Sequence, residues 1–160
     1  MSNTITLNDG DLMLARQIAL MRTGLNRANQ VKLTQIGNAN TWDNEILGVL
    51  GEIAFGKRFN LYLDLTFNVR KGGSDFIAKD GRTTDVKTTT LDTGRLMVPA
   101  WKKDPSKKSD LYVLITGTFP TFKMRGYATH EQVFANPIND VPMPCFGLNQ
   151  DKLTPFPNER

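Results

Sequence analysis

The chain has 160 residues, 39% hydrophobic and 22% charged, which is enough for one domain with a real core and too apolar for a disordered polymer. A single cysteine, Cys145, and a single histidine, His130, exclude a disulfide framework, a multi-cysteine zinc site and histidine-rich metallohydrolases. The formal charge is +4 and the pI about 9.3; no apolar run reaches membrane-spanning length and Met1-Ser2-Asn3-Thr4 lacks the features of a secretory signal, so a reducing cytoplasm and no membrane partner are expected.

Asn8 and Asp11 stand three apart before an apolar run and predict a helix start. Leu14, Ile18, Met21 and Leu25 then share one helical face, and this helix is expected to stop near Gly24. Residues 26–40, rich in Asn and Gln, read as an irregular connection. A second helix is expected from Asn40 or Thr41 to about Arg58, with Ile46, Val49, Leu50 and Ile53 as its buried stripe. Gly48, Glu52 and Gly56 recur every four residues along another face, and Gly51 is a third glycine. Glycine costs a helix interior about 1 kcal/mol against alanine. A close neighbour is therefore expected: a tightly packed strand, or a metal or phosphate given room around Glu52.

After this helix the pattern turns to β. Residues 65–69 read as a strand, Lys71-Gly72-Gly73 as a turn, and residues 75–78 and 82–89 as two strands joined by the hairpin signal Lys79-Asp80-Gly81. Residues 91–96 carry no clear pattern. Residues 111–115 form a continuous apolar run, as in a strand buried on both faces. Residues 124–128 read as a further strand, and Thr129 as the cap of a short helix over 131–135. Five prolines from Pro137 onward forbid regular helix and predict an extended strap anchored by Phe146, Leu148 and Phe156.

The chemistry-bearing residues sit on the predicted hairpin. Side chains at i and i+2 of a strand share a face, so Asp85 and Lys87 point one way and Val86 points the other, into a core. Asp75, at the head of the preceding strand, adds a second carboxylate. Two acids and an amine on one patch suit a divalent cation and a nearby water. Mg²⁺ prefers oxygen ligands: Asp75 and Asp85 offer carboxylates and the Val86 carbonyl a third oxygen. Glu52 is expected to ligate a second ion, hold a metal water or orient Lys87. Lys87 is expected to orient the attacking water or stabilise developing negative charge. From Arg95 to Arg125, seven basic residues against two acids give that segment +5, more than the whole chain carries. Arg95, Lys102, Lys103, Lys107 and Lys108 make it a candidate surface for a polyanion such as nucleic acid, although a solvated loop accounts for the same charge.

The ordered set of Gly51-Glu52 on a helix, Asp75 in a hairpin, nine intervening positions and Asp85-Val86-Lys87 resembles the PD-(D/E)XK nuclease superfamily, over roughly residues 40–130. Ser74 stands where that superfamily usually has proline. Gly51-Glu52-Ile53-Ala54-Phe55, Asp85-Val86-Lys87-Thr88-Thr89 and Gly126-Tyr127-Ala128-Thr129 are similar to small phage and prophage members, whose setting is the cytoplasm of a bacterial host. The resemblance implies an α/β fold, a restriction-endonuclease-like mixed central sheet flanked by helices in a single domain. Its parts would be an N-terminal helix and connection (1–39), a catalytic core (40–135) and a proline-rich tail (136–160). It further implies a Mg²⁺-dependent DNA endonuclease, with Mn²⁺ substituting, that hydrolyses phosphodiester bonds. Glu52, Asp75, Asp85 and Lys87 would be catalytic, and Asp75, Asp85, Val86 and Glu52 would hold metal. A homodimer with one active site per strand is also implied. The same residues admit a non-catalytic DNA-binding or regulatory protein on this fold, or an inhibitor module whose acids are surface charges.

Overall fold

The structure, a computed structural model, describes residues 3–28, 41–65 and 73–157. Strand β1 (Thr4–Thr6) leads into helices α1 (Asp9–Ala28) and α2 (Thr41–Phe59). Strands β2 (Phe76–Ile77), β3 (Thr83–Thr89) and β4 (Leu96–Pro99) follow, then a 3₁₀ turn over Ala100–Lys103. The chain continues through β5 (Leu111–Thr118), β6 (Thr121–Thr129), α3 (His130–Phe134), β7 (Pro137–Ile138) and β8 (Cys145–Leu148). Among the described residues five strands form the main sheet in the order β1-β6-β5-β3-β2; β3 and β5 run parallel and the other pairs antiparallel. A smaller antiparallel sheet has the order β4-β8-β7. Among the described residues no helix is long and apolar enough to cross a membrane.

The start of α1 follows the expected capping logic. The Asn8 N–H donates to Asp11 Oδ2 at 2.8 Å and the Asp11 N–H to Asn8 Oδ1 at 3.0 Å, so each side chain satisfies a backbone donor that the helix leaves without a partner. The face that α1 buries differs from the one its large apolar residues predicted. Asp11, Ala15, Ile18, Ala19 and Thr23 are buried, whereas Leu14 and Met21 are exposed. Two causes select this face. Ala15 and Ala19 let the helix approach its neighbours closely, and Lys57 on α2 reaches Asp11 at 2.6 Å. The helix also runs past Gly24 to Ala28.

On α2 the expected stripe is buried at Val49, Leu50 and Ile53, with Ile46 packed at its edge. Gly51 is explained by contact with β3: a Cβ there would lie 1.9 Å from Thr88 Oγ1. Gly48, by contrast, has open space around it. The predicted strand over 65–69 and the start of the turn after it fall on residues 66–72, which lie outside the described residues. The hairpin is closed by Ala78 N–H to the Arg82 carbonyl at 2.8 Å and Gly81 N–H to the Ala78 carbonyl at 2.9 Å. Gly81 sits at φ +85°, where a side chain would be strained.

The main sheet separates two cores. Val86, Val113 and Ile115 face α1 and α2, while Tyr112 and Leu114 meet Leu96, Val98, Val133 and Leu153 on the other side. β5 contributes to both, as its continuous apolar run predicted. Thr129 caps α3 reciprocally with Gln132. The expected strap after Pro137 is partly regular instead. β8 is the middle strand of the small sheet and β7 lies at its edge, where a proline costs no ladder bond.

Candidate functional site

The hairpin places both aspartates. The Asp75 N–H donates to the Thr84 carbonyl at 2.9 Å, one step beyond the β2–β3 ladder. Asp75 Oδ2 then accepts the Val86 N–H at 2.8 Å, so a carboxylate takes the rung that a longer β2 would have filled. In an extended strand the N–H and C=O of one residue project to the same side. The Val86 carbonyl is therefore turned toward the Asp75 side, away from β5. On the adjoining face Lys87 Nζ lies 2.7 Å from Asp85 Oδ1, so the shared face inferred from the i, i+2 spacing is present.

A residue expected on the surface completes this cluster. Lys102, in the 3₁₀ turn after β4, is buried; its Nζ lies 2.8 Å from Asp85 Oδ2 and donates to the Gly73 carbonyl at 3.2 Å. The assignment of Lys102 to an exposed nucleic-acid-binding loop is thus corrected: its charge offsets a buried aspartate and cannot reach a phosphate outside. Lys103 and Lys108 are exposed and Lys107 is half-buried, while Arg95 pairs with Asp140 at 2.6 Å. Ser74, in the position of the absent proline, has its Oγ 2.6 Å from that of the buried Ser109 and so ties the start of the hairpin to the approach to β5.

Glu52 is buried on α2 and gripped by Arg22 of α1, whose two terminal nitrogens each donate to one carboxylate oxygen at 2.8 Å. Both oxygens of Glu52 are thus held by Arg22, just as both oxygens of Asp85 are held by Lys87 and Lys102. The charge of Glu52 still reaches the hairpin. Burial pushes the Asp75 carboxyl well above the usual carboxylate range, and the negative charges of Glu52 and Asp85 push it further. Asp85 moves the other way. Burial alone would raise its carboxyl, but the ammonium groups of Lys87 and Lys102 outweigh that and hold it below the usual range. For Lys87 burial opposes the charged form, and Asp85 followed by Asp75 more than offsets it, so the amine is held above its ordinary value.

Beside these groups opens a cleft of about 1150 Å³. Arg16 and Arg22 of α1, Glu45 and Glu52 of α2, Lys87 of β3, and Arg95 contribute to its wall; Asp75 and Asp85 do not. Burial lifts the Glu45 carboxyl, against the pull of Arg22 and with the help of Glu52. The structure thus brings Asp75, Asp85 and Lys87 together, sets Glu52 within electrostatic range, and leaves Lys103 and Lys108 on the surface. Sequence reasoning missed Arg22, Arg16 and the inward role of Lys102. No local pattern marks them: Arg22 and Lys102 meet carboxylates far away along the chain, and Arg16 reaches the cleft only because α1 packs beside it.

Residues 3–141 match a family described as a family of unknown function, DUF5843. The chain belongs to DUF5843. The matched span contains the whole Asp75–Asp85–Lys87–Lys102 cluster and the Arg22–Glu52 pair, and it ends before β8. No curated protein matches the chain. Within the described residues of this DUF5843 member, no three carboxylate, histidine or cysteine side chains are grouped so as to hold a metal ion. Mg²⁺ needs fewer: one or two carboxylates, with water and substrate phosphate completing its shell. Asp75, Asp85 and the Val86 carbonyl have that hard-oxygen chemistry. On that ground the residues fit the ion.

Proposed function

We propose that this DUF5843 protein is a Mg²⁺-dependent deoxyribonuclease on a restriction-endonuclease-like fold. The observation that carries the reading is the junction along β3, with Asp75 seated on the Val86 N–H and Asp85 paired with Lys87 beside it. The fold reading is supported by a helix bearing Glu52 packed on β3, a hairpin carrying both aspartates, and a parallel step from β3 to β5. Asp75, Asp85 and the Val86 carbonyl would hold the ion. When bound, Mg²⁺ supplies an acidified water and charge that offsets the phosphoryl oxygens.

The chain's own residues do the rest. Lys87 stays protonated against Asp85 and presents its ammonium at the cleft wall, to a phosphoryl oxygen or the attacking water. Arg16 lines the same cleft and offers a planar donor to a DNA phosphate, a contact that positions the backbone without reading sequence, while Arg22 and Arg95 stand in the wall paired with Glu52 and Asp140. Lys103, Lys107 and Lys108 add charge that speeds the approach of a polyanion, and binding weakens steeply with salt.

The experiment incubates supercoiled, linear, nicked and branched DNA with the protein in Mg²⁺, Mn²⁺ or EDTA. Cutting in either metal, none in EDTA, and none by Lys87→Ala despite retained DNA binding is the expected result. Binding without cutting on every substrate overturns the nuclease reading in favour of a non-catalytic DNA-binding or regulatory protein. One observation favours that second reading: both oxygens of Asp85 and both of Glu52 already face cationic side chains.

A further inference from the structure

We infer that the outer face of α1 is a two-fold interface on which a second copy of this chain docks antiparallel. The helix buries one side and leaves a stripe on the other, where Gly10, Met13, Leu14, Gln17, Leu20, Met21 and Gly24 are all exposed. The four large apolar side chains are exposed by 67% (Met13), 42% (Leu14), 56% (Leu20) and 47% (Met21). A lone exposed apolar residue needs no explanation. Here Met13 and Leu20, and Leu14 and Met21, stand seven apart, and the stripe as a whole steps by three and four, the spacing of a face that meets another helix.

The stripe is also self-complementary. Read in either direction it is Gly, Met, Leu, Gln, Leu, Met, Gly, with Gln17 at the centre. A two-fold axis makes residue i meet j while j meets i. An antiparallel pair centred on Gln17 therefore sets Leu14 against Leu20, Met13 against Met21, Gly10 against Gly24, and amide against amide. That symmetry matches a second copy at every position and favours it over an unrelated partner. Charge agrees with the orientation: Asp9 lies in the first turn of α1 and Arg27 in the last. At 1.5 Å rise per residue, Asp9 lies about 12 Å along the helix from the axis and Arg27 of the second copy about 15 Å along on the same side. The two opposite charges then meet at both ends, and the helix dipoles oppose favourably. Arg16 stands near the axis and faces its own copy, an unfavourable pairing that its length relieves by turning toward the cleft it lines. Each copy's cleft then borders the interface.

One helix face buries less than the standard ~800 Å² per partner, so the dimer should dissociate with a constant on the order of micromolar. Sedimentation equilibrium of the full chain, from about 1 to about 500 μM, should show the mass rising from 17.9 kDa toward twice that value. Leu20→Glu puts a carboxylate into each half of the stripe at an exposed site. It should raise the dissociation constant at least about tenfold while leaving thermal unfolding of the dilute monomer unchanged. Gln17→Cys should cross-link through the axis on mild oxidation, because opposed positions of packed helices come within disulfide reach. Arg27→Cys, about 30 Å from its own copy, should not, and the native Cys145 is buried and does not compete. A monomer at every concentration, a dimer that survives Leu20→Glu, or a dimer in which Gln17→Cys fails to cross-link overturns the proposal.

Discussion

At Asp75 and Asp85 one hairpin pushes two like groups in opposite directions. Burial, Glu52 and Asp85 raise the Asp75 carboxyl, so ionising it disfavours the folded state. Below the ordinary carboxylate range both folded and unfolded chains carry it protonated and there is no cost. The cost grows as pH rises from that range to the raised folded value, and above it is complete. Asp75→Asn removes the charge, and its amide oxygen still accepts the Val86 N–H. Without divalent metal, the variant should melt higher than the native chain at about pH 8, with the gap closing toward about pH 3, below the ordinary carboxylate range. A gap that is absent or reversed at the higher pH would show that Asp75 is not crowded by negative charge. Asp85→Asn should behave in the opposite way. Lys87 and Lys102 hold the ionised form, so it contributes stability above the unfolded value that is lost as pH falls through the depressed folded one. The substitution strands the buried Lys102 and should cost about 3–5 kcal/mol in denaturant titrations at neutral pH. Adding Lys102→Met should recover part of that loss, because the uncompensated charge is then gone. The Asp85–Lys87 pair was legible in the sequence because a strand has period two. Lys102 was not: it comes from a later turn, and on sequence alone a lysine beside a lysine reads as solvated surface.

Among the elements, α2 against β3 shows how a residue choice sets the depth of packing. Two substitutions on the same helix should differ in sign. Gly48→Ala has open space and gains up to about 1 kcal/mol of helix propensity. Gly51→Ala gains the same propensity but drives a methyl to 1.9 Å from Thr88 Oγ1, with the Thr88 Cβ only 3.0 Å away. Overpacking of that kind costs roughly 1–3 kcal/mol, so Gly51→Ala should be the less stable of the two in parallel denaturant melts, and equal stability would mean that α2 does not rest on β3. The spacing of α2's glycines predicted a close neighbour without saying which glycine met it. The helix and its stripe were readable because Val49, Leu50 and Ile53 are both large and inward. On α1 the same reasoning placed only Ile18 correctly: the other buried residues are small or polar, and Met13, Leu14, Leu20 and Met21 point out. The buried Asp11 and the Arg22–Glu52 pair set that orientation through partners on α2, which no pattern within α1 reveals.

Across the whole molecule, the residues after Pro144 join the two cores. β8 pairs with β4 along Leu96–Pro99 and also with β7. Leu153 is buried in the core behind Tyr112 and Leu114. Thr154 exchanges two backbone hydrogen bonds with Tyr127, at 2.8 and 2.9 Å. Phe156 then crosses to the other core, its ring 5.0 Å from that of Phe59 and 5.4 Å from that of Tyr127. Prolines predicted an extended path here, but they do not show that a strand inside it is the middle of a sheet. The family match stops at residue 141, ahead of all these contacts. A chain ending at residue 144 would open Leu96 and Val98 to water, residues that are now 0% exposed. Fully burying such a side chain is worth about 1.5–3 kcal/mol, and a domain's whole stability is only about 5–15 kcal/mol. The truncated chain should therefore lose its cooperative thermal transition, while Phe156→Ala in the full chain should only lower the midpoint, by roughly 2–4 °C for each kcal/mol lost. Calorimetry of the three proteins separates the cases. A shortened chain that melts cooperatively near the native temperature would mean that β8 does not hold the small sheet together.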